Sequence, residues 1–283
     1  MFSYRHAFHA GNHADVLKHL ILVQLLDYFK RKDKGFSYID THAGAGAYVL
    51  DEGFAARSGE AASGIARLWS MSREGMPPLL ADYLDAIARL NADGTLRYYP
   101  GSPYLAWHAA REQDRLRLFE LHSTEIEILR ANFSDADRQV SIEARDGFDG
   151  LRAVVPPPTR RAVVLIDPSY EDKHDYQRVL ESLRDAHRRF ATGTYALWYP
   201  RVARVESRRF PAQLEQFLPE GWLHASLDVS APPADGRGLS GSGMYIVNPP
   251  YLLASALRDT LPWLVQTLGQ DSAASFTLVD RGV

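Results

Sequence analysis

No cysteine occurs in the 283 residues. That absence excludes disulfides, thiolate metal sites and a cysteine nucleophile. No apolar run is long enough to cross a bilayer, and the opening Met1-Phe2-Ser3-Tyr4-Arg5-His6 has no signal-peptide core. The expectation is a cytoplasmic protein without membrane association. An excess of one charge sign is also lacking: the formal sum is -3, which does not by itself mark a nucleic-acid binder. No internal repeat is visible. The length suits one large α/β domain or a domain carrying an insertion.

The charge that is present is unevenly placed. Residues 1–35 hold Arg5, Lys18, Lys30, Arg31, Lys32 and Lys34 against Asp15, Asp27 and Asp33, a sum of +3, so the remainder sums to -6. His6, His9, His13 and His19 add partial positive charge near a phosphate. A phosphate-facing N-terminal arm and an ordinary solvated helix end at Lys30–Lys34 both fit this pattern. His9 and His13 are four apart, but no carboxylate-rich partner set accompanies them. Capping, packing or phosphate contact is expected of them, and no metal.

Hydrophobic periodicity gives an alternation of strands and helices. Ala14, Leu17, Ile21, Leu25 and Tyr28 predict a helix over 13–30, ended by Gly35, and Phe36–Asp40 a strand running into Thr41-His42-Ala43-Gly44-Ala45-Gly46. Residues 50–98 form a helical insertion, with helical spacing over 63–70 and 79–91. After it come a strand at 117–121, a helix at 123–132 capped by Ser123 or Thr124, a strand at 140–144 and a helix at 147–154. Ala162–Ile166 is apolar on both faces, as a buried parallel strand requires. A helix over 176–191, a strand over 195–199, a short helix over 211–217, strands over 223–229 and 243–247, and a helix over 252–268 complete the pattern. The Pro/Gly-rich 231–243 is a hairpin or surface loop. The fold class is α/β, a doubly wound, mostly parallel sheet, with 1–49 and 99–283 as core and 50–98 as insertion.

In such a sheet, ligands bind at the carboxyl ends of the strands. The residues that follow successive strands here are Asp40-x-x-x-Gly44-x-Gly46, Glu120, Asp146-Gly147 and Asp167-Pro168-Ser169-Tyr170. The two glycines allow close backbone approach, and a following helix would offer its N-terminal amides. A tight strand-to-helix turn uses glycines in the same way, and a dinucleotide fingerprint would place a third at Val49. That substitution argues against a nicotinamide oxidoreductase. Glu120 can accept from two ribose hydroxyls and Asp146 from an adenine amine, with Ala43, Leu121 and Phe148 as walls. Acids after successive strands, without a phosphate-binding lysine, suit a cofactor without phosphates. S-adenosylmethionine is that cofactor.

Asp167–Tyr170 suits methyl transfer to an exocyclic adenine amine. Such a nitrogen is a poor nucleophile because its lone pair is delocalised. Acceptance of its hydrogens by the Asp167 carboxylate and the Pro168 carbonyl draws it towards tetrahedral geometry and stabilises the developing charge. The Tyr170 ring is expected to stack on an unpaired or flipped base. A type I turn after a strand would use proline and serine here too, and the position after the fourth strand favours the functional reading. Asn248-Pro249-Pro250-Tyr251 fits the amino-methyltransferase pattern better residue for residue. It follows the last predicted strand, however, which runs antiparallel in methyltransferase sheets, so it should sit away from the cofactor.

These residues resemble one family. Tyr4-Arg5-His6-Ala7-Phe8-His9-Ala10-Gly11-Asn12-His13-Ala14-Asp15-Val16-Leu17-Lys18-His19 followed by Asp40–Gly46 is similar to the RlmJ family of bacterial 23S ribosomal RNA adenine-N6-methyltransferases. Tyr99–Pro103, Glu120-Leu121-His122, Asp146-Gly147, Asp167–Glu171 and Asp175-Tyr176 extend the resemblance over nearly the whole chain. It implies a Rossmann-like methyltransferase and cofactor contacts at His19, His42, Ser102, Glu120, Asp146, Gly147 and Asp167, to which the glycine turn adds Gly44 and Gly46. It further implies Asp167 as the catalytic acceptor and a face for 23S ribosomal RNA at Tyr4, His6 and Lys18; with Pro168 and Tyr170 of the loop, Lys18 completes the expected catalytic set. The RNA would be met before full ribosome assembly, with no obligate protein partner and no metal. Methylation of DNA adenine or protein glutamine, and RNA binding without catalysis, are the alternatives. This chain carries Ser169 where the family pattern has a second proline, which rigidifies the turn less.

Overall fold

Asn12 starts the first helix. Its side-chain oxygen accepts from the amides of Ala14 and Asp15, both at 2.9 Å, and α1 (His13–Lys30) runs from there. The computed structural model describes residues 6–236 and 238–282, with only the backbone of Phe54 and Ala56. Tyr4, expected to face RNA, lies outside the described residues. α1 is buried on nearly every side, because it packs against the sheet on one flank and other helices on the rest.

The fully buried strand β1 (Ser37–Asp40) follows. The glycine turn leads into a second short strand, β2 (Ala47–Val49), and not directly into a helix. The chain then makes four helices, α2 (Gly53–Ser58), α3 (Glu60–Ser63), α4 (Ile65–Trp69) and α5 (Pro78–Ala88). It returns at β3 (Tyr98–Pro100), which pairs antiparallel with β2, and only then forms α6 (Ser102–Ala109). The helix expected after the glycine turn is therefore α6, displaced by the intervening segment. Ile65, Leu68, Leu80, Tyr83 and Ile87 from that segment share one apolar cluster with α1.

Alternation continues through β4 (Arg115–Phe119), α7 (Ser123–Asn132), β5 (Val140–Glu143), α8 (Gly147–Val154), β6 (Ala162–Ile166) and α9 (Asp175–Arg189). β7 (Thr194–Arg201), α10 (Val205–Glu215), β8 (Trp222–Asp228), β9 (Gly241–Val247), α11 (Leu253–Leu268) and β10 (Ser275–Arg281) complete the chain. The cap of α7 is His122, whose Nδ1 accepts from the amides of Thr124 and Glu125, not Ser123 or Thr124. β10 was not anticipated. It is an edge strand with mostly exposed residues, so it lacks the apolar density that marked the interior strands.

The sheet order is β10-β8-β9-β7-β6-β1-β4-β5. β5, β4, β1, β6 and β7 are parallel, β9 is antiparallel to β7 and β8, and β10 antiparallel to β8. The Pro/Gly-rich segment is the hairpin loop between β8 and β9. Alternate side chains enter two layers: Val163 and Leu165 face α1 and α11, whereas Val164 and Ile166 face α8, α9 and α10. The order of strand addition reverses about β1, with β4 and β5 laid on one side and β6 and β7 on the other, so a crevice opens beside it. Register then aligns the strand ends, with Asp40 beside both Leu118 and Leu165. Among the described residues no helix is long and apolar enough to cross a membrane.

The segment between β2 and β3 is locked to the start of α1 at Gly64. A Cβ there would lie 2.1 Å from the carbonyl oxygen of Gly11, which also accepts from the amide of Ile65 at 2.8 Å. Gly64→Ala is expected to destabilise the protein by about 1–3 kcal/mol, the usual cost of forcing backbone apart. Denaturant unfolding measures it, and an unchanged midpoint would show that this junction yields freely.

Candidate active site

The aligned strand ends open into a cleft of about 980 Å³, its mouth included. Of the residues expected at a site, His6, Lys18, His19, His42, Gly44, Ser102, Glu120, Asp146, Gly147, Asp167 and Pro168 line it. Five strand–loop junctions and α1 bring them together over 162 positions of sequence, from His6 to Pro168. Ala43 and Leu121 form walls as expected, and Phe148 lies under His42 with ring centroids 5.1 Å apart.

α1 contributes the charged centre. Lys18 Nζ stands 2.9 Å from Asp15 Oδ1 and 2.6 Å from Asp167 Oδ2, with the lysine only 3% exposed. Burial alone would lower the lysine pKa, but the two carboxylates outweigh it and hold the group above its usual range. Burial would push Asp15 up. His6, 2.9 Å away, and Lys18 outweigh that and hold it well below the usual carboxylate range. Lys18 thus lines the cleft while two carboxylates hold it, and through that contact it fixes the Asp167 side chain. Asp167 itself lines the cleft, and its Oδ1 has no hydrogen bond to a described residue.

The acids after the strands are oriented by backbone amides. Glu120 Oε2 accepts from Gly44 N at 2.8 Å and Oε1 from His122 N at 2.7 Å. Each oxygen keeps a lone pair for a further donor. Asp146 Oδ1 caps α8 through Phe148 N at 2.9 Å, while Oδ2 accepts from Arg178 at 2.7 Å. Arg178 also lies 4.4 Å from the Phe148 ring centroid. Asp40 is fully buried, and its carboxyl is pushed up to about 6 by that burial. It accepts from Tyr38 Oη at 2.6 Å and Ser102 Oγ at 2.7 Å, so the Ser102 hydroxyl hydrogen is committed within the protein. Gly147 is required by packing alone, since a Cβ would lie 1.7 Å from the Thr41 carbonyl oxygen.

Two expectations, about the glycine turn and the loop after β6, are corrected. Gly46 does not line the cleft. Its φ is +83°, its carbonyl accepts from Gly101 N at 2.8 Å, and a Cβ would strike Phe133 and Leu129. It shapes the turn that Gly44 presents. Tyr170 cannot stack on a base from where it stands. Its φ of +53° turns the side chain inward to 3% exposure, among Tyr176 and Phe210, where its hydroxyl donates to the Trp198 carbonyl at 2.7 Å. The loop is further held by Arg204, which donates to the Tyr170 carbonyl at 2.9 Å and the Glu171 carbonyl at 3.2 Å.

The remaining motifs lie elsewhere. Asn248 follows antiparallel β9, donates to the Ala191 and Gly193 carbonyls and accepts from Thr194 Oγ1. That is the amino end of β7, opposite the cleft. Lys30–Lys34 is also remote: Arg111 donates to the Lys30 and Lys32 carbonyls beside the start of β4. His9 pairs with Glu60 at 3.0 Å. Asp15 and Arg178 were missed at the site, whereas Asp40 was named with the glycine turn but is enclosed behind it. Asp15 stands three positions before Lys18 on one helix face, a readable signal, whereas Arg178 meets Asp146 across 32 positions and left none.

Burial drives the His42 pKa down to about 4, while Nδ1 lies 2.8 Å from Thr41 Oγ1. The folded state therefore holds His42 neutral where the unfolded chain protonates it. Its contribution to stability is complete above the unfolded value of 6.5 and is lost as pH falls towards 4. NMR titration of the His42 ring should give a midpoint near 4. A midpoint at or above the ordinary histidine value of 6.5 would contradict the burial described here.

Comparison with known proteins fits this geometry. A family model described as ribosomal RNA large subunit methyltransferase D, RlmJ, matches residues 33–279. The chain is 45% identical over 279 residues to ribosomal RNA large subunit methyltransferase J of Haemophilus influenzae, covering 98% of each. It is 47% identical over 264 residues to the protein of that name from Escherichia coli K12, covering 93% of each. A crystal structure of a Legionella pneumophila protein superposes with a TM-score of 0.87 at 35% identity, covering 96% of this chain and 98% of that one.

Proposed function

The chain belongs to the RlmJ family of ribosomal RNA large subunit methyltransferases, and we propose that it methylates the N6 amino group of a specific adenine in 23S ribosomal RNA. The observation that carries the choice of atom is Asp167: Lys18 fixes one carboxylate oxygen and the other is left at the cleft. That oxygen and the Pro168 carbonyl accept the two amine hydrogens and localise the nitrogen lone pair. An acceptor pair of this kind suits an amine and gives nothing to a carbon nucleophile.

The cleft's donors and acceptors fit S-adenosylmethionine, which supplies the electrophilic methyl group when bound. Glu120, pre-oriented by two backbone amides, receives the ribose hydroxyls. Asp146 and the Phe148–Arg178 wall receive the base, with Leu121 and Ala43 around it. His19, His42 and Ser102 line the rest. His6, at the cleft and paired with Asp15, faces the RNA together with Tyr4. The RNA is met in the cytoplasm before full ribosome assembly, without an obligate protein partner. The position of Asn248 removes the structural support for a glutamine substrate, and the oriented acids speak against binding without catalysis.

The test is transfer of tritiated methyl from S-adenosylmethionine to unmodified large-subunit RNA, DNA and protein. Label is expected in the RNA alone, and Asp167→Ala should slow it by about 10²–10³-fold, as loss of a group acting on the developing charge does. Label confined to protein, or an unimpaired Asp167→Ala, would refute the proposal.

A further inference from the structure

His19 lines the cleft, and its Nδ1 is turned away from it, 2.8 Å from Tyr99 Oη. Tyr99 Oη in turn lies 2.9 Å from Tyr83 Oη. Both tyrosines are fully buried, His19 is 1% exposed, and neither tyrosine lines the cleft. Tyr83 belongs to α5 and Tyr99 to β3, so a buried chain of polar atoms joins the segment between β2 and β3 to the cleft wall.

We infer that Tyr99, backed by Tyr83, fixes His19 in its Nε2–H tautomer and makes it a neutral hydrogen-bond donor to the cofactor. The direction follows from counting hydrogens. Each phenol has one to give, and neutral imidazole has one on either nitrogen. Tyr83 Oη reaches one partner among the described residues, Tyr99 Oη. If His19 carried its hydrogen on Nδ1, Tyr99 would accept it and pass its own to Tyr83. The Tyr83 hydrogen would then be stranded in the core, the costly outcome for a buried donor. Run the other way, Tyr83 donates to Tyr99, Tyr99 donates to Nδ1, and every hydrogen is placed. Burial also holds the His19 pKa well below the usual histidine range, so the ring is neutral and one nitrogen must be bare.

The donor left for the cleft is Nε2–H. It suits an anionic acceptor, and on the cofactor reading above, on which this part rests, the anionic group of S-adenosylmethionine is its carboxylate. Tyr99 and Tyr83 touch no ligand and are positioning residues. The segment between β2 and β3 thus sets the hydrogen-bonding sense of a residue in the site as well as packing on α1.

Nitrogen-15 NMR of histidine-labelled intact protein reads the tautomer without ligand, and calorimetry with S-adenosylhomocysteine reads binding. Wild type should show His19 locked as Nε2–H. Tyr99→Phe should give an averaged tautomer signal and about tenfold weaker binding, as loss of one buried hydrogen bond implies. His19→Gln, which carries its amide hydrogens towards the Nε2 position, should bind within about threefold of wild type, and His19→Asn should lose about tenfold. A wild-type Nδ1–H signal, an unchanged Tyr99→Phe, or an Asn variant equal to the Gln variant would overturn the inference. Failure of wild type to bind would instead overturn the cofactor reading, and the ligand-free spectrum would still decide the tautomer.

Discussion

Lys18 carries its charge into the protein interior, and the positions of Asp15 and Asp167 on either side of it are what make that tenable. A buried ammonium without partners loses its hydration at a cost of several kcal/mol. Here two carboxylates at 2.9 and 2.6 Å surround it. One belongs to the same helix and the other to the loop after β6, so the contact ties α1 to the strand end where chemistry is proposed. The pair sets which oxygen of Asp167 is occupied and which is left at the cleft. Asp15 is fixed in its turn by His6 and by the amide of Gly11 at 3.0 Å, which brings the first described residues into the same network.

The rest of the site rests on sheet register. Parallel pairing ends β4, β1 and β6 at one level, so Glu120, the glycine turn and Asp167 project from a common edge. Backbone amides then orient Glu120, and a helix N-terminus and Arg178 orient Asp146. Pre-orientation of this kind lowers the reorganisation needed when a ligand arrives. The helix that would ordinarily follow the first strand is postponed to Ser102, and the intervening segment is fused to α1 by a shared apolar cluster.

Much of this was legible in the sequence because the signals were local. The spacing of Ala14, Leu17, Ile21 and Leu25 marked α1 at its observed bounds, and Ala162–Ile166 declared itself by being apolar on both faces. Glu120, Asp146 and Asp167 were found because each follows a strand. The rejection of Asn248 also rested on strand direction, and β9 is antiparallel to β7. What stayed hidden depends on backbone conformation or on distant partners. Nothing in Asp-Pro-Ser-Tyr announces the left-handed φ that turns the Tyr170 ring inward. Gly46 resembles a ligand-binding glycine but packs under Phe133. The helix assigned after the glycine turn was a strand, because pairing of Ala47–Val49 with Tyr98–Pro100 joins residues about fifty positions apart. The Arg178–Asp146 pair was missed for the same reason, and β10 because an exposed edge strand carries no apolar signal.

The atom that receives the methyl group is the decisive observable. Large-subunit RNA from cells lacking this activity, incubated with the protein and S-adenosylmethionine and digested to nucleosides, can be read by mass spectrometry. The Asp167 oxygen that Lys18 does not hold and the Pro168 carbonyl predict N6-methyladenosine as the new nucleoside. Methyl appearing instead on a ribose hydroxyl, on a ring nitrogen or on cytosine would contradict the role given to that acceptor pair.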